Sequence, residues 1–306
     1  MTEEIVHVHR PKESAILARR TLLTAATATT AALLTSAPAH ASAPEGLREL
    51  EARHGARLGV FARNIVTGRT VRYRAGELFP MCSLFKTLAS AAVLRDLDRD
   101  GEFLSRRIHY TDADLPKEGS DKTREHLADG MTVAELAEVA ITFSDNGAGN
   151  LLLRELGGPT AITRFARSLG DRVTRLDRWE TELNSAEPWR ITDTTSPYAI
   201  GRTYGRLVLG DALDGPDRAL LTHWLRNNTT SGTRLRAGLP PAWTVADKTG
   251  GGSYGTNNNV GIAWTEDGTP LLLAVLSTLP AQDAARDDVL IRDTAALLAH
   301  TLTARA

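Results

Sequence analysis

The chain has 306 residues, 42% of them hydrophobic, and a formal net charge of −1. That length and apolar content sustain a sizeable core and argue against disorder, while interspersed charge without a basic block argues against a nucleic-acid partner. The single cysteine, Cys82, excludes an intramolecular disulfide, and the eight histidines show no metal-ligand spacing, so neither a metal site nor a cofactor is expected.

Residues 1–41 read as a segment to be removed. A polar stretch closes on Arg19-Arg20, an Ala/Leu/Thr-rich run extends from Thr21 to Ser36, and Ala39-His40-Ala41 places small residues two apart. This order is that of an export signal cleaved near Ala41-Ser42, giving a secreted protein. A membrane anchor is the alternative, but the run is short, rich in Thr and ends at Pro38, so no stable membrane insertion is expected once it is removed. Arg19-Arg20 followed by Thr21-Leu22-Leu23 resembles a twin-arginine signal, which implies export of a folded protein.

Beyond the signal, Glu45 to His54 behind Pro44 reads as an opening helix. Gly59 to Ile65 and Val71 to Arg74, joined through Thr67-Gly68-Arg69, read as a hairpin. Ser83 to Asp98 is Ala- and Leu-rich without a breaker, as in a buried helix. Thr132 with Glu135 forms a capping-box pattern ahead of apolar residues. Helical patterns follow over Asn150 to Glu155 and Thr160 to Leu169, and again over Pro197 to Leu209 and Asp217 to Arg226. Between them Arg175 to Asp193 is polar and irregular, and an ordered loop of that length is usually functional. After Leu239-Pro240-Pro241 the preference turns to strands, Trp243 to Lys248, Asn259 to Thr265 and Pro270 to Thr278, before a closing helix from Arg292 to Thr303.

Strands at both ends with helices between predict an α/β plus all-α architecture. The termini, 42–75 and 226–306, build an antiparallel sheet flanked by helices, and 76–225, with the loop 175–193, forms an inserted helical domain. A cleft between such layers is a frequent small-molecule site.

Three short motifs carry chemistry. Ser83-Leu84-Phe85-Lys86 puts a hydroxyl and an amine on one helix face, and a serine becomes nucleophilic when a neighbouring base takes its proton. An isolated Ser-x-x-Lys is otherwise a helix start with a surface lysine, but Lys86 falls inside an apolar helix that has no other reason to bury an amine. Ser144-Asp145-Asn146 offers a proton relay and an amide able to bind both the lysine and a substrate carbonyl, where a plain reading is a helix end. Lys248-Thr249-Gly250, followed by Gly251-Gly252, supplies positive charge, a hydroxyl and an approachable strand, the groups a substrate carboxylate needs.

Together and in this order, the three motifs resemble the active site of the penicillin-recognising serine enzymes, and within that superfamily the chain is most similar to class A β-lactamases. The resemblance runs through nearly all of the chain beyond the signal. It includes Thr174 to Asn184, which looks like the family's omega-loop motif, Gly130 to Leu136, and Arg236-Ala237-Gly238. It implies a five-stranded sheet and a monomeric enzyme acting on small β-lactams. Ser83 would be the acylated nucleophile, with Lys86 and Glu180 the alternatives for the acylation base. Glu180 with Asn184 would hold the hydrolytic water, Ser144 would protonate the leaving nitrogen, and Lys248 would support that step. The backbone N–H groups of Ser83 and Gly251 would form the oxyanion hole, Asn146 would meet the substrate amide, and Thr249 and Gly250 would line the carboxylate subsite. Arg178 and Asp193 would pair to hold the omega loop.

Three departures from the family pattern stand out. Thr181 follows Glu180 where proline is common, at a bond that is cis in the family; a cis bond here and a trans bond in an adjusted loop both stay open. Asn257, Asn258 and Asn259 stand where many relatives carry an arginine for the substrate carboxylate, and Arg234 fits the position from which another subset of the family supplies it. Leu115 to Lys122 lacks the usual aromatic at the cleft mouth, with Glu118 and Gly119 in its place. Cys82, beside the nucleophile, reads as a small packed residue rather than a reactive thiol. A D-Ala-D-Ala peptidase would share Ser83, Lys86, Ser144 and Lys248 but has no need of Glu180 and Asn184; a non-catalytic binding protein of the same fold is the remaining alternative.

Overall fold

The computed structural model describes residues 42–304; the predicted export signal lies outside the described residues. Five strands, β1 (Arg57–Asn64), β2 (Thr70–Tyr73), β3 (Thr244–Gly251), β4 (Asn257–Trp264) and β5 (Pro270–Thr278), form one sheet in the order β2-β1-β5-β4-β3. Every neighbouring pair is antiparallel. The two ends of the chain thus meet in one sheet, as their strand preferences predict.

Period-two alternation divides the central strand between two cores. Leu271, Leu273 and Val275 of β5 join Leu47, Leu50, Leu58 and Val60 against the terminal helices α1 (Ala43–Arg53) and α8 (Asp288–Thr303). Leu272, Ala274 and Leu276 point the other way and belong to a core shared with the helical layer. That layer comprises α2 (Phe85–Ala92), α3 (Val133–Thr142), α4 (Asn146–Glu155), α5 (Thr160–Ser168), α6 (Pro197–Val208) and α7 (Gly215–Arg226). All residues of α2 are buried, the polar Lys86, Thr87 and Ser90 among them.

The expected long helix from Ser83 to Asp98 is divided. A 3₁₀ turn, Cys82–Leu84, precedes α2 and a π turn, Val93–Leu97, follows it. Three helices, α4, α7 and α8, begin earlier than their patterns indicate because an aspartate caps each one, Asp214 accepting from Asp217 N at 2.9 Å in α7. Asp145 accepts from Ala148 N at 2.8 Å and Asp287 from Leu290 N at 2.9 Å, satisfying amides that the first turn leaves free. The capping box at Thr132 and Glu135 is formed as its sequence predicts. Strand β4 includes the three asparagines, poor strand formers, because each amide has a fixed partner: Asn257 bonds Asp288, Asn258 bonds Pro80 O and Asn259 bonds Asp247. Two short antiparallel pairs escaped the sequence reading, Phe79–Pro80 with Thr194–Thr195 and Arg107–Ile108 with Met131–Thr132.

The consequence for function is positional. The start of α4, the edge strand β3 and the loop 175–193 line one cleft of about 700 Å³, and the turn before α2 is joined to that loop through the hydrogen bond of Ser83 to Glu180.

Candidate active site

Ser83 lies at the N-terminal end of the buried helix, its hydroxyl 3.0 Å from Lys86 Nζ and 3.2 Å from Glu180 Oε1. Lys86 is fully buried. Its ammonium also reaches Ser144 O at 2.7 Å, Asn146 Oδ1 at 2.7 Å and Glu180 Oε1 at 3.0 Å. Every neighbour of this nitrogen is an oxygen that can accept, the set an ammonium requires. Gly149 makes the arrangement possible from the α4 side, because a Cβ there would fall 2.8 Å from Lys86 Cε.

Ser144 is bracketed by two lysines: Lys86 binds its carbonyl, and Lys248 Nζ donates to its hydroxyl at 2.9 Å. Burial, and then the neighbouring charge of Lys86, hold the Lys248 ammonium well below the usual lysine range. Asn146 binds Lys86 through its oxygen and donates to Glu118 O at 3.0 Å through its nitrogen, so its amide bridges the helix and the cleft mouth.

Glu180 is buried in a loop and clamped on several sides. Asn184 Nδ2 donates to Oε2 at 2.6 Å. Asn150, on α4, accepts from the Glu180 amide at 3.0 Å and donates to its carbonyl at 2.9 Å. Sequence reading missed Asn150 as a site residue; its only signal is a carboxamide on an otherwise apolar helical face. The loop is closed at its neck by Arg178 Nε and Asp193 Oδ2, 2.6 Å apart, while Asp193 Oδ1 accepts the amides of Asp177 and Arg178. The Glu180–Thr181 bond is cis, which decides between the two alternatives left open by the sequence.

Strand β3 supplies the opposite wall. A Cβ at Gly250 would fall 2.9 Å from Met81 O, so only glycine lets the strand pass so close to the turn carrying Ser83. Thr249 Oγ1 shares a 2.5 Å hydrogen bond with Thr230, a second residue that sequence reading missed. Arg234 is 8% exposed, its Nε 2.8 Å from Asp288 Oδ1, so it is held beside this wall rather than left on the open surface. Arg286 borders the cleft next to Gly251. The three asparagines are committed to the partners that build β4. The groups lining the cleft are polar or small, with no aromatic among them, in keeping with the absence read at Leu115 to Lys122. Cys82 is fully buried, and burial pushes its thiol far up, so it packs behind the site as expected.

Three of the six described non-glycine residues with positive φ lie at these places. Cys82, Ser144 and Asp193 have φ of 49°, 61° and 57°, a left-handed region that non-glycine residues seldom occupy and that clusters at functional sites. Nothing in their side chains foretells this.

A hydroxyl, two buried lysines and a clamped carboxylate converging on one cleft make a site for acyl transfer. The model of the β-lactamase enzyme family matches residues 43–302. The chain belongs to that family. The β-lactamase of Streptomyces albus G is 60% identical over 93% of this chain and 97% of its own length, and that of Streptomyces fradiae 58% over 96% and 98%. The solved Streptomyces albus G structure superposes with a TM-score of 0.82 at 65% identity, covering 85% of this chain and 99% of that one. A β-lactamase structure from Desulfarculus baarsii reaches 0.84 at 44% identity, covering 86% and 98%. The chain is a class A serine β-lactamase of the actinobacterial type; it hydrolyses the β-lactam amide through a serine acyl-enzyme. Its fold is the family's α/β domain with an inserted all-helical layer. Among the described residues no helix is long and apolar enough to cross a membrane.

Proposed function

We propose that the acyl-enzyme of this β-lactamase forms on Ser83 and is released by water activated at Glu180. The observation that carries this is the position of Glu180 Oε1, 3.2 Å from Ser83 Oγ and 3.0 Å from Lys86 Nζ. In acylation, Ser83 Oγ attacks the lactam carbonyl carbon and its proton passes to one of the two groups in reach of the hydroxyl, Glu180 at 3.2 Å or Lys86 at 3.0 Å, so that acylation survives the loss of Glu180. The lactam C–N bond then breaks as the Ser144 hydroxyl gives its proton to the nitrogen, with Lys248 at 2.9 Å from that hydroxyl. The backbone N–H groups of Ser83 and Gly251 hold the carbonyl oxygen, donors that strengthen as negative charge develops there. Before deacylation the proton taken from Ser83 is released and Ser144 regains one, both by way of solvent; Glu180 and Asn184 then hold a water, Glu180 takes its proton as the hydroxide attacks the Ser83 ester, and the C–Oγ bond breaks as that proton passes to Ser83 Oγ.

Lys248, Thr249 and Arg234, with Gly250 at their side, receive the substrate carboxylate, and Asn146 meets the substrate amide. Arg178 and Asp193 keep the loop in place so that Glu180 stays one water from the ester carbonyl. The segment 1–41 is proposed to direct export through a twin-arginine route, its Arg19-Arg20 pair being the feature that supports it. Mass spectrometry of a Glu180→Ala variant with benzylpenicillin tests the central assignment. A persistent adduct on the peptide containing Ser83 is expected, and turnover at the unmutated rate would remove Glu180 from the mechanism.

A further inference from the structure

The cleft holds one cation that the mechanism does not use. Arg286 lies in the segment leading into α8, and its side chain runs along Gly251: a Cβ on that glycine would fall 2.3 Å from Arg286 Nη1 and 2.9 Å from its Cδ. Its guanidinium therefore occupies space that a side chain at 251 would fill, at the end of β3 that faces the substrate. The nearest carboxylates in sequence are spoken for. Asp287 is bound to His54 at 2.6 Å, and Asp288 to Thr233, Arg234 and Asn257. Arg286 is solvent-exposed and has no hydrogen bond or ion pair with any described residue. It is also close enough to Arg234 for the two positive charges to oppose one another. Asp288 is paired with Arg234 and the nearby Asp247 with Arg236, so Arg286 and buried Lys248 leave a positive excess at this end of the cleft. Such an excess in a cleft with low-dielectric walls attracts anions.

We infer that Arg286 is a specificity-determining residue that recognises a second negative charge on the β-lactam, on the substituent next to the carboxylate-bearing carbon of the fused ring. This rests on the reading in which the ring carboxylate meets Lys248, Thr249 and Arg234 while the lactam carbonyl sits between Ser83 and Gly251. With those two points held, the neighbouring ring substituent is the part of the substrate that runs along Gly251 toward Arg286. An anionic substituent there completes an ion pair that none of the described residues supplies; a neutral one leaves the guanidinium to water.

The test is a pair of cephalosporins identical except that the ring substituent at this position ends in a carboxylate in one and in the primary amide in the other. The readout is the ratio of their kcat/KM values. Arg286→Ala is expected to lower the anionic-to-neutral ratio about fivefold, the size of one ordinary half-solvated ion pair, and Arg286→Lys to keep most of it. The ratio of the unmutated enzyme should fall with added salt, and that of Arg286→Ala should not. Gly251→Ala, which displaces the guanidinium, is expected to reduce the ratio by itself and to reduce it no further when combined with Arg286→Ala. A ratio that is the same in the unmutated enzyme and in Arg286→Ala overturns the inference. Arg234→Ala separates this from the underlying reading: it should depress both substrates together, and if both are spared it is the carboxylate assignment that fails.

Discussion

Ser83 and Lys86 stand on a helix and turn whose residues are all buried, so the proposed nucleophile is positioned by apolar packing from Phe85, Leu88 and their neighbours in the helical core. Glu180 stands in the loop 175–193, which leaves Trp179, Trp189 and Ile191 substantially exposed and is held by polar contacts: Arg178 with Asp193, Asn150 with the Glu180 backbone, and Asn184 with its carboxylate. Packing is distributed over many weak contacts and tolerates small losses, whereas an ion pair with its hydrogen bonds fails when one partner goes. On the proposed mechanism the acylating half of the site is therefore robust and the deacylating half is severable. A substitution in the loop should trap the reaction midway, and one on the helix should prevent it from starting.

The largest effect expected is from Ser83→Ala, which should lower kcat by about 10⁵-fold and leave no covalent adduct by mass spectrometry. Glu180→Ala comes next, with steady-state hydrolysis reduced by about 10³-fold while the acyl-enzyme accumulates; burst kinetics with a chromogenic β-lactam measure the two steps separately. If acylation and deacylation fell equally in that variant, the division between the two regions would not hold.

Asp193→Ala strands Arg178 and removes the acceptor of two loop amides. A loss of about 3 kcal/mol in urea denaturation is expected, with deacylation slowed more than acylation. Asn150→Ala removes a gentler restraint, worth about 1 kcal/mol in the same measurement. Finally, Lys248 carries its charge at low pH and gives it up as pH rises through a value held well below the usual lysine range. The alkaline limb of kcat/KM for an anionic β-lactam should accordingly fall below that range, and Lys248→Arg, whose guanidinium keeps its charge, should move the limb upward.

Much of this was legible without coordinates because local chemistry leaves local marks. The apolar run after Ser83, the Thr132–Glu135 capping box and the strand preference after Pro241 each depend on neighbours within a turn or two. The order of Ser83-x-x-Lys86, Ser144-Asp145-Asn146 and Lys248-Thr249-Gly250 suffices for the family, and the reacting groups proposed above come from the same motifs. Tertiary structure decided what depends on residues distant in the chain. It brought Asn150 under Glu180, set Thr230 against Thr249, gave β4 its asparagines by supplying each a partner, and made the Glu180–Thr181 bond cis. It also set Cys82, Ser144 and Asp193 in a left-handed backbone conformation that residues of their kind seldom adopt unless the surroundings impose it. A sequence records which groups are present, and distances of 3 Å between them arise only when the sheet, the helices and the loop close on one cleft.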